Sequence, residues 1–133
     1  MKTRIIKQRV IIPTDPFKVY RAYTNGEEHT EFTGSAATSD ARIGGQFSAW
    51  DSYITGKYLE LEPGKKIVQE WRSTDSPEDY PASRLELRLR AVKEGTELTM
   101  IHSEVPESLA DDIEKGWTDF YWEPLKAHFK IEK

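Results

Sequence analysis

Residues 44–72 contain Gly44-Gly45-Gln46-Phe47, then Tyr53-Ile54-Thr55-Gly56, then Leu59-Glu60-Leu61-Glu62-Pro63-Gly64-Lys65-Lys66-Ile67-Val68-Gln69-Glu70-Trp71-Arg72. Glycines and a Pro-Gly turn divide three short β-type runs, the pattern of consecutive antiparallel hairpins. Downstream, Leu85, Leu87 and Leu89 alternate with Glu86, Arg88 and Arg90, so the strand Ser83–Val92 has one buried and one wet face. Lys93-Glu94-Gly95 turns the chain, and Thr96–Val105 runs back to Pro106.

Upstream, Arg4–Ile12 reads as a first strand that stops at Pro13. Thr14-Asp15-Pro16 opens a helix with a capping side chain followed by proline. Phe17, Tyr20 and Tyr23 form its expected apolar stripe, which stops at Asn25-Gly26. A second short helix over Glu27–Phe32 closes at Gly34, and Ser35–Ile43 reads as a loop. At the C-terminal end, Ser108 and Asp111 have capping-box spacing. Leu109, Ile113, Trp117, Tyr121, Leu125 and Phe129 follow every four residues, with Phe120 alongside. Pro124 either kinks this helix about one turn back or begins a separate terminal helix. The fold class is α+β: a curved antiparallel sheet of about six strands around a long C-terminal helix, with two short helices after strand one.

Composition narrows function by exclusion. A chain of 133 residues fits one domain with a real core. Nineteen basic against 23 acidic residues, net −4, argue against broad phosphate neutralisation, so no nucleic-acid partner is expected. Without cysteine there are no disulfides, thiolate nucleophiles or cysteine-bound zinc. Met1-Lys2-Thr3-Arg4 is no signal-peptide start, and no apolar run reaches the roughly 20 residues that span a bilayer. A cytoplasmic protein with no membrane partner is expected, as a monomer or weak dimer.

This order of elements resembles the helix-grip fold of the START-like (SRPBCC) superfamily. A collinear set of motifs narrows this: Phe32-Thr33-Gly34, Gly44-Gly45-Gln46-Phe47, Ile54-Thr55-Gly56, Ile67-Val68-Gln69-Glu70-Trp71-Arg72, Val105-Pro106 and Gly116-Trp117. With them the chain resembles the C-terminal domain of the activator of the 90-kDa heat-shock chaperone ATPase, as a stand-alone domain. This resemblance implies a cavity between sheet and helix, and a heat-shock chaperone as one partner. In eukaryotic activators a separate N-terminal domain makes the principal chaperone contact, and 133 residues leave no room for one. Weak chaperone binding and little ATPase stimulation are therefore expected.

No catalytic set emerges, so a non-enzymatic binding module is expected, without cofactor or metal. Its partner would be a small apolar or aromatic molecule. Wall candidates are Phe47, Tyr58, Trp71, Met100, Trp117, Phe120 and Tyr121, with Gln69 and His102 as polar anchors. Tyr58 alternates against Leu59 and Leu61, so its facing requires a bulge. Gln69 lies between Ile67 and Trp71 on an apolar face, where its amide must find a partner: His102, a tyrosine, a ligand or a water. His102 shares the inward face of Leu98 and Met100, either orienting a ligand or bonded within the core. His29 and His128 are expected at the surface. The acids near the last helix's start suit its dipole. The outer row Lys7, Arg9, Glu70, Arg72, Glu86, Arg88 and Arg90 is either a solvated face or a docking surface, with Arg72, Arg88 and Arg90 as its basic positions.

Overall fold

A computed structural model describes residues 2–130. In chain order the elements are β1 (Thr3–Ile12), α1 (Pro16–Thr24), α2 (Gly26–Thr33), β2 (Thr38–Ser39), β3 (Gln46–Ala49), β4 (Ile54–Glu62), β5 (Lys66–Ser73), β6 (Ser83–Val92) and β7 (Gly95–Pro106). They end in α3 (Glu107–Trp117), a π-helical turn (Thr118–Trp122) and α4 (Glu123–Lys130). The seven strands form one antiparallel sheet in the order β1-β7-β6-β5-β4-β3-β2. Only neighbours in sequence pair, except that β1 closes against β7. The seventh strand is the two-residue β2, inside the segment expected to be a loop.

Alternation decides the faces. Ile67, Trp71, Leu85, Leu87, Leu98, Met100 and His102 point into the core, all at 5% exposure or less. Between Tyr58 and Glu60 the β4–β5 register slips by one residue, with Leu59 as the extra one. That bulge turns Tyr58 inward and leaves it fully buried. Gly56 sits on the same inward face for steric reasons. A Cβ there would lie 1.9 Å from the Glu70 carbonyl oxygen and 2.8 Å from the Phe47 ring.

Helix α1 starts as expected, with Asp15 capping the Lys18 amide and Pro16 in the first turn. Its buried side is Val19, Ala22 and Tyr23, whereas Phe17 is exposed. The aromatic stripe therefore misjudged the helix's rotation, because Phe17 packs on the Gly64 turn at the surface. Gly34 closes α2 in the left-handed conformation, φ 80°. The expected Ser108–Asp111 box does not form. Pro106 is the N-cap of α3, no side chain caps it, and Asp111 instead accepts a hydrogen bond from Arg4 Nη1 at 2.8 Å.

On the outer face, charges pair with one another. Glu86, buried there, bridges Arg84 (2.9 Å) and Arg88, while Glu97 takes Arg90 (2.9 Å) and Arg9 (3.7 Å). Val68 is buried beneath this lattice, flanked in register by Glu60 and Glu86. Gly56→Ala should cost about 3 kcal/mol, because the clash is with backbone oxygen rather than a movable side chain. Urea unfolding should show a lower midpoint at unchanged slope. A loss under about 1 kcal/mol would mean that β4 and β5 separate easily there.

Candidate functional site

A cavity of about 460 Å³ opens between the β4–β5 end of the sheet and the α3–π-turn helix. Its inner wall is made by Trp71, Trp117 and Tyr121, each at 5% exposure or less, with Ile54, Leu109 and Ile113 beside them. Trp50 from the β3–β4 turn and Phe120 from the helix stand further out, their ring centroids 5.5 Å apart. Ring spacings of 6.0 Å (Trp71–Trp117) and 4.7 Å (Trp117–Tyr121) make the inner wall a continuous aromatic surface.

The π-turn produces this surface. Pro124 has no amide proton to return to the helix, and one residue earlier the Glu123 N–H reaches the Thr118 carbonyl, an i−5 bond. The wider turn lets the adjacent residues Tyr121 and Trp122 both face inward. It also places Trp122 under Trp117, stacked at 5.2 Å and 16°. Of the two readings of Pro124, the structure shows a local widening of one helix rather than a new one.

Behind the wall lies a chain of buried hydrogen bonds whose directions can be assigned. Trp117 Nε1–H donates to His102 Nδ1 (3.1 Å), so Nε2 carries the imidazole proton and donates to Ser83 Oγ (2.8 Å). The Ser83 hydroxyl then donates to the Trp71 carbonyl (2.7 Å). Burial lowers the His102 pKa to about 3, so the ring stays neutral. A second chain runs through α2. His29 Nδ1–H donates to the Tyr23 carbonyl (2.9 Å), and His29 Nε2 therefore accepts from Tyr121 OH (3.0 Å). Tyr23 OH in turn donates to Gln69 Oε1 (3.1 Å).

One group is left over. Trp71 Nε1 is buried and has no acceptor among the described residues, whereas Trp117 has His102 and Trp122 has Gln8 Oε1 at 2.6 Å.

Comparison with known proteins fits this architecture. The family model described as "Activator of Hsp90 ATPase homolog 1-like protein" matches residues 13–130. The chain belongs to that family. It is 33% identical over 116 residues to the human activator of 90 kDa heat shock protein ATPase homolog 1, covering 87% of this chain and 34% of that protein. It thus spans about a third of that relative's length. An HSP90 activator from Plasmodium falciparum superposes with a TM-score of 0.84 at 24% identity, covering 98% of this chain and 97% of that one. The Aha1 dimer from Colwellia psychrerythraea gives 0.79 at 19%, covering 93% and 95%. At these identities the two structures share the fold.

Within this Hsp90-activator-like family fold, Trp71, Trp117, Phe120 and Tyr121 line the cavity. Phe47, Tyr58, Gln69, Met100 and His102 do not; they are buried in the core. Gln69 finds a tyrosine, and His102 is held between Ser83 and Trp117, so neither anchors the cavity. His29, expected at the surface, is 6% exposed, and His128 is half-buried with Nε2 3.2 Å from Glu28 Oε2. The missed signal was spacing: His29 and Phe32 lie three apart on one helical face. Trp122 was missed because a four-residue period skips it. Arg72 is occupied by carbonyls of the following loop, Tyr80 O (2.6 Å) and Pro77 O (2.8 Å), and Arg88 and Arg90 by Glu86 and Glu97.

The outer edge of the cavity carries backbone strain. Trp50, Asp51 and Ser52 have φ of 54°, 58° and 69°, three consecutive non-glycine residues in the left-handed region. Each costs about 1–2 kcal/mol. The turn is held by the Asp51 amide on the Ala36 carbonyl (2.9 Å) and the Tyr53 amide on the Trp50 carbonyl (3.1 Å). Such strain concentrates where a side chain must be presented, here Trp50. Ser52→Gly should raise the melting temperature by about 2–4 °C, the relief of strain exceeding glycine's added chain entropy. An unchanged or lower value would show that the conformation is unstrained.

Stability should also depend on pH in a defined direction. His102 and His29 both have lowered pKa values in the folded protein, the former through burial alone, the latter through burial outweighing its backbone hydrogen bond. The unfolded chain binds more protons below pH ~6.5, so stability is fully present above that value and falls as pH drops towards 3. Between pH 7.5 and 5.5, His102 alone should account for about 1.4 kcal/mol. Urea titrations at both pH values test this; equal stabilities would contradict a buried neutral imidazole.

Proposed function

We propose that this chain is a binding module that takes a small, largely apolar or aromatic molecule into the cavity between β4–β5 and the C-terminal helix. The observation that carries this reading is the Trp71 indole N–H. It is a buried donor without an acceptor, set in the aromatic wall of a cavity of ligand size. An unmade hydrogen bond of this kind costs about 1–3 kcal/mol, which an acceptor on a bound molecule would recover if the wall shifts to uncover the nitrogen, itself closed to solvent. The neutral His102, with both ring nitrogens engaged by Ser83 and Trp117, supports binding rather than catalysis.

The substitutions Trp71→Phe and Trp117→Phe separate this role from ordinary packing. Trp71→Phe removes an unpaired donor and should leave stability within about 1 kcal/mol. Trp117→Phe strands the buried His102 acceptor and should cost about 1–3 kcal/mol more. Native mass spectrometry of protein purified from its own source should reveal a co-purified molecule, bound about tenfold more weakly by Trp71→Phe. No bound molecule, with the Trp71 indole proton resonance unmoved by any small aromatic probe, would overturn the reading.

A second reading rests on the 33% identity to a human chaperone ATPase activator across 87% of the chain. On it, the chain binds a 90-kDa heat-shock chaperone and modulates its ATPase. The arginines of the outer face are already paired, so contacts made there would be weak and salt-sensitive, with a screening length of about 8 Å at physiological salt. The assay is chaperone ATP turnover at low and physiological salt. Strong stimulation, abolished by Arg88→Glu with Arg90→Glu but kept by Trp71→Phe, would make the chaperone role primary. No response at low salt would leave ligand binding ahead.

A further inference from the structure

The mouth of the cavity carries one sign of charge. Its lining includes two acids, Asp75 and Asp112, and no lysine, arginine or histidine. Neither carboxylate forms an ion pair among the described residues. Other acids on the surface also lack a base among the described residues; Asp75 and Asp112 differ in sharing the lining of one aromatic cavity. Tyr53 OH donates to Asp75 Oδ2 at 2.5 Å. The hydrogen bond and charge of Asp75, burial, and the field of Asp112 together hold the Tyr53 phenol pKa up. Beside this pair stand the indole of Trp50 and the ring of Phe120, and deeper lies Trp71, 5% exposed with its N–H unpartnered.

We propose that the cavity selects an organic cation: an aromatic amine with its ammonium at Asp75, Asp112 and the faces of Trp50 and Phe120, and a hydrogen-bond acceptor at its inner end for Trp71 Nε1. This deepens the binding-module reading and rests on it. Aromatic faces attract weakly hydrated cations, and carboxylates at the same rim add their field. A metal ion fits poorly, since two carboxylates supply too few ligands and aromatic rings none. An anion would meet two like charges and no basic side chain in the lining.

Three probes of near-equal size and different charge test the inference: para-methoxyphenethylamine, para-methoxyphenethyl alcohol and para-methoxyphenylacetate. Each carries an ether oxygen for Trp71, so the indole Nε1–H resonance of that residue reports occupancy whatever the charge. The amine should bind about fivefold more tightly than the alcohol, with the acid weakest. That order should compress as salt is raised on the native protein. It should vanish in the double variant Asp75→Asn/Asp112→Asn, where asparagine can still accept from Tyr53. Equal affinities, or preference for the acid, with the Trp71 resonance moving, would overturn the cation and leave the binding module standing. No movement of the resonance with any probe would overturn both.

Discussion

The site depends on a neutral imidazole clamped between sheet and helix. His102 sits on β7, accepts a hydrogen bond from the Trp117 indole N–H of the helix and donates one to Ser83, which donates to the Trp71 carbonyl on β5. Two of the three aromatic groups of the inner wall are thereby referred to one buried ring. An imidazolium could not hold the arrangement, because a protonated Nδ1 would face the indole N–H donor. Protonation would also bury a charge with no carboxylate among its hydrogen-bond partners, which is why burial drives the pKa down to about 3. The same ring lies 4.7 Å edge-on to Trp71 and 5.8 Å edge-on to Trp117, so packing and hydrogen bonding act on the same groups.

The helix meets this anchor only because its period changes. An α-helix that places Trp117 and Tyr121 inward would turn Trp122 about 100° away. The π-turn absorbs one extra residue, so Trp122 reaches Gln8 on β1 while Tyr121 reaches His29 on α2. One turn of helix is thus tied to the sheet edge on one side and the small helices on the other. The third wall residue, Tyr121, is fixed through this second route. Phe120, pointing outward at 56% exposure, becomes available to the cavity mouth.

Much of the fold was legible because it rests on strict periods. Alternation in Leu85, Leu87, Leu89, Leu98 and Met100 decides the sheet face, and the Pro-Gly and Gly-Gly pairs mark the hairpins. The site was half legible. Trp71, Trp117, Phe120 and Tyr121 follow from their positions on a strand and a helix facing each other. Gln69 and His102 looked like anchors because they are polar on an apolar face, and sequence alone does not say that Tyr23 and Ser83 satisfy them. Trp50, Tyr53 and Asp75 went unread as cavity residues, and Asp112 was read only as an acid suiting the helix dipole. Trp50 and Tyr53 belong to a turn whose left-handed backbone has no glycine to announce it, and the two acids come to one cavity only through tertiary folding.

The two faces of the sheet treat charge in opposite ways, and that contrast bears on function. On the outer face, Glu86 pairs with Arg84 and Arg88 along β6, and Arg90 pairs with Glu97 across β6 and β7. These arginines gain little from a charged partner, since a new ion pair must break an old one. At the cavity mouth, two carboxylates stand without bases beside an aromatic wall. There a cation would displace nothing but water, and the nearby ring faces add attraction that solvent does not offer. The strain at Trp50 falls on this same mouth: three consecutive left-handed residues hold the β3–β4 turn from which the indole reaches the cavity, while the acid-bearing edge at Asp75 is a turn free of such residues. Backbone strain is thus placed where an aromatic face, rather than a carboxylate, is presented.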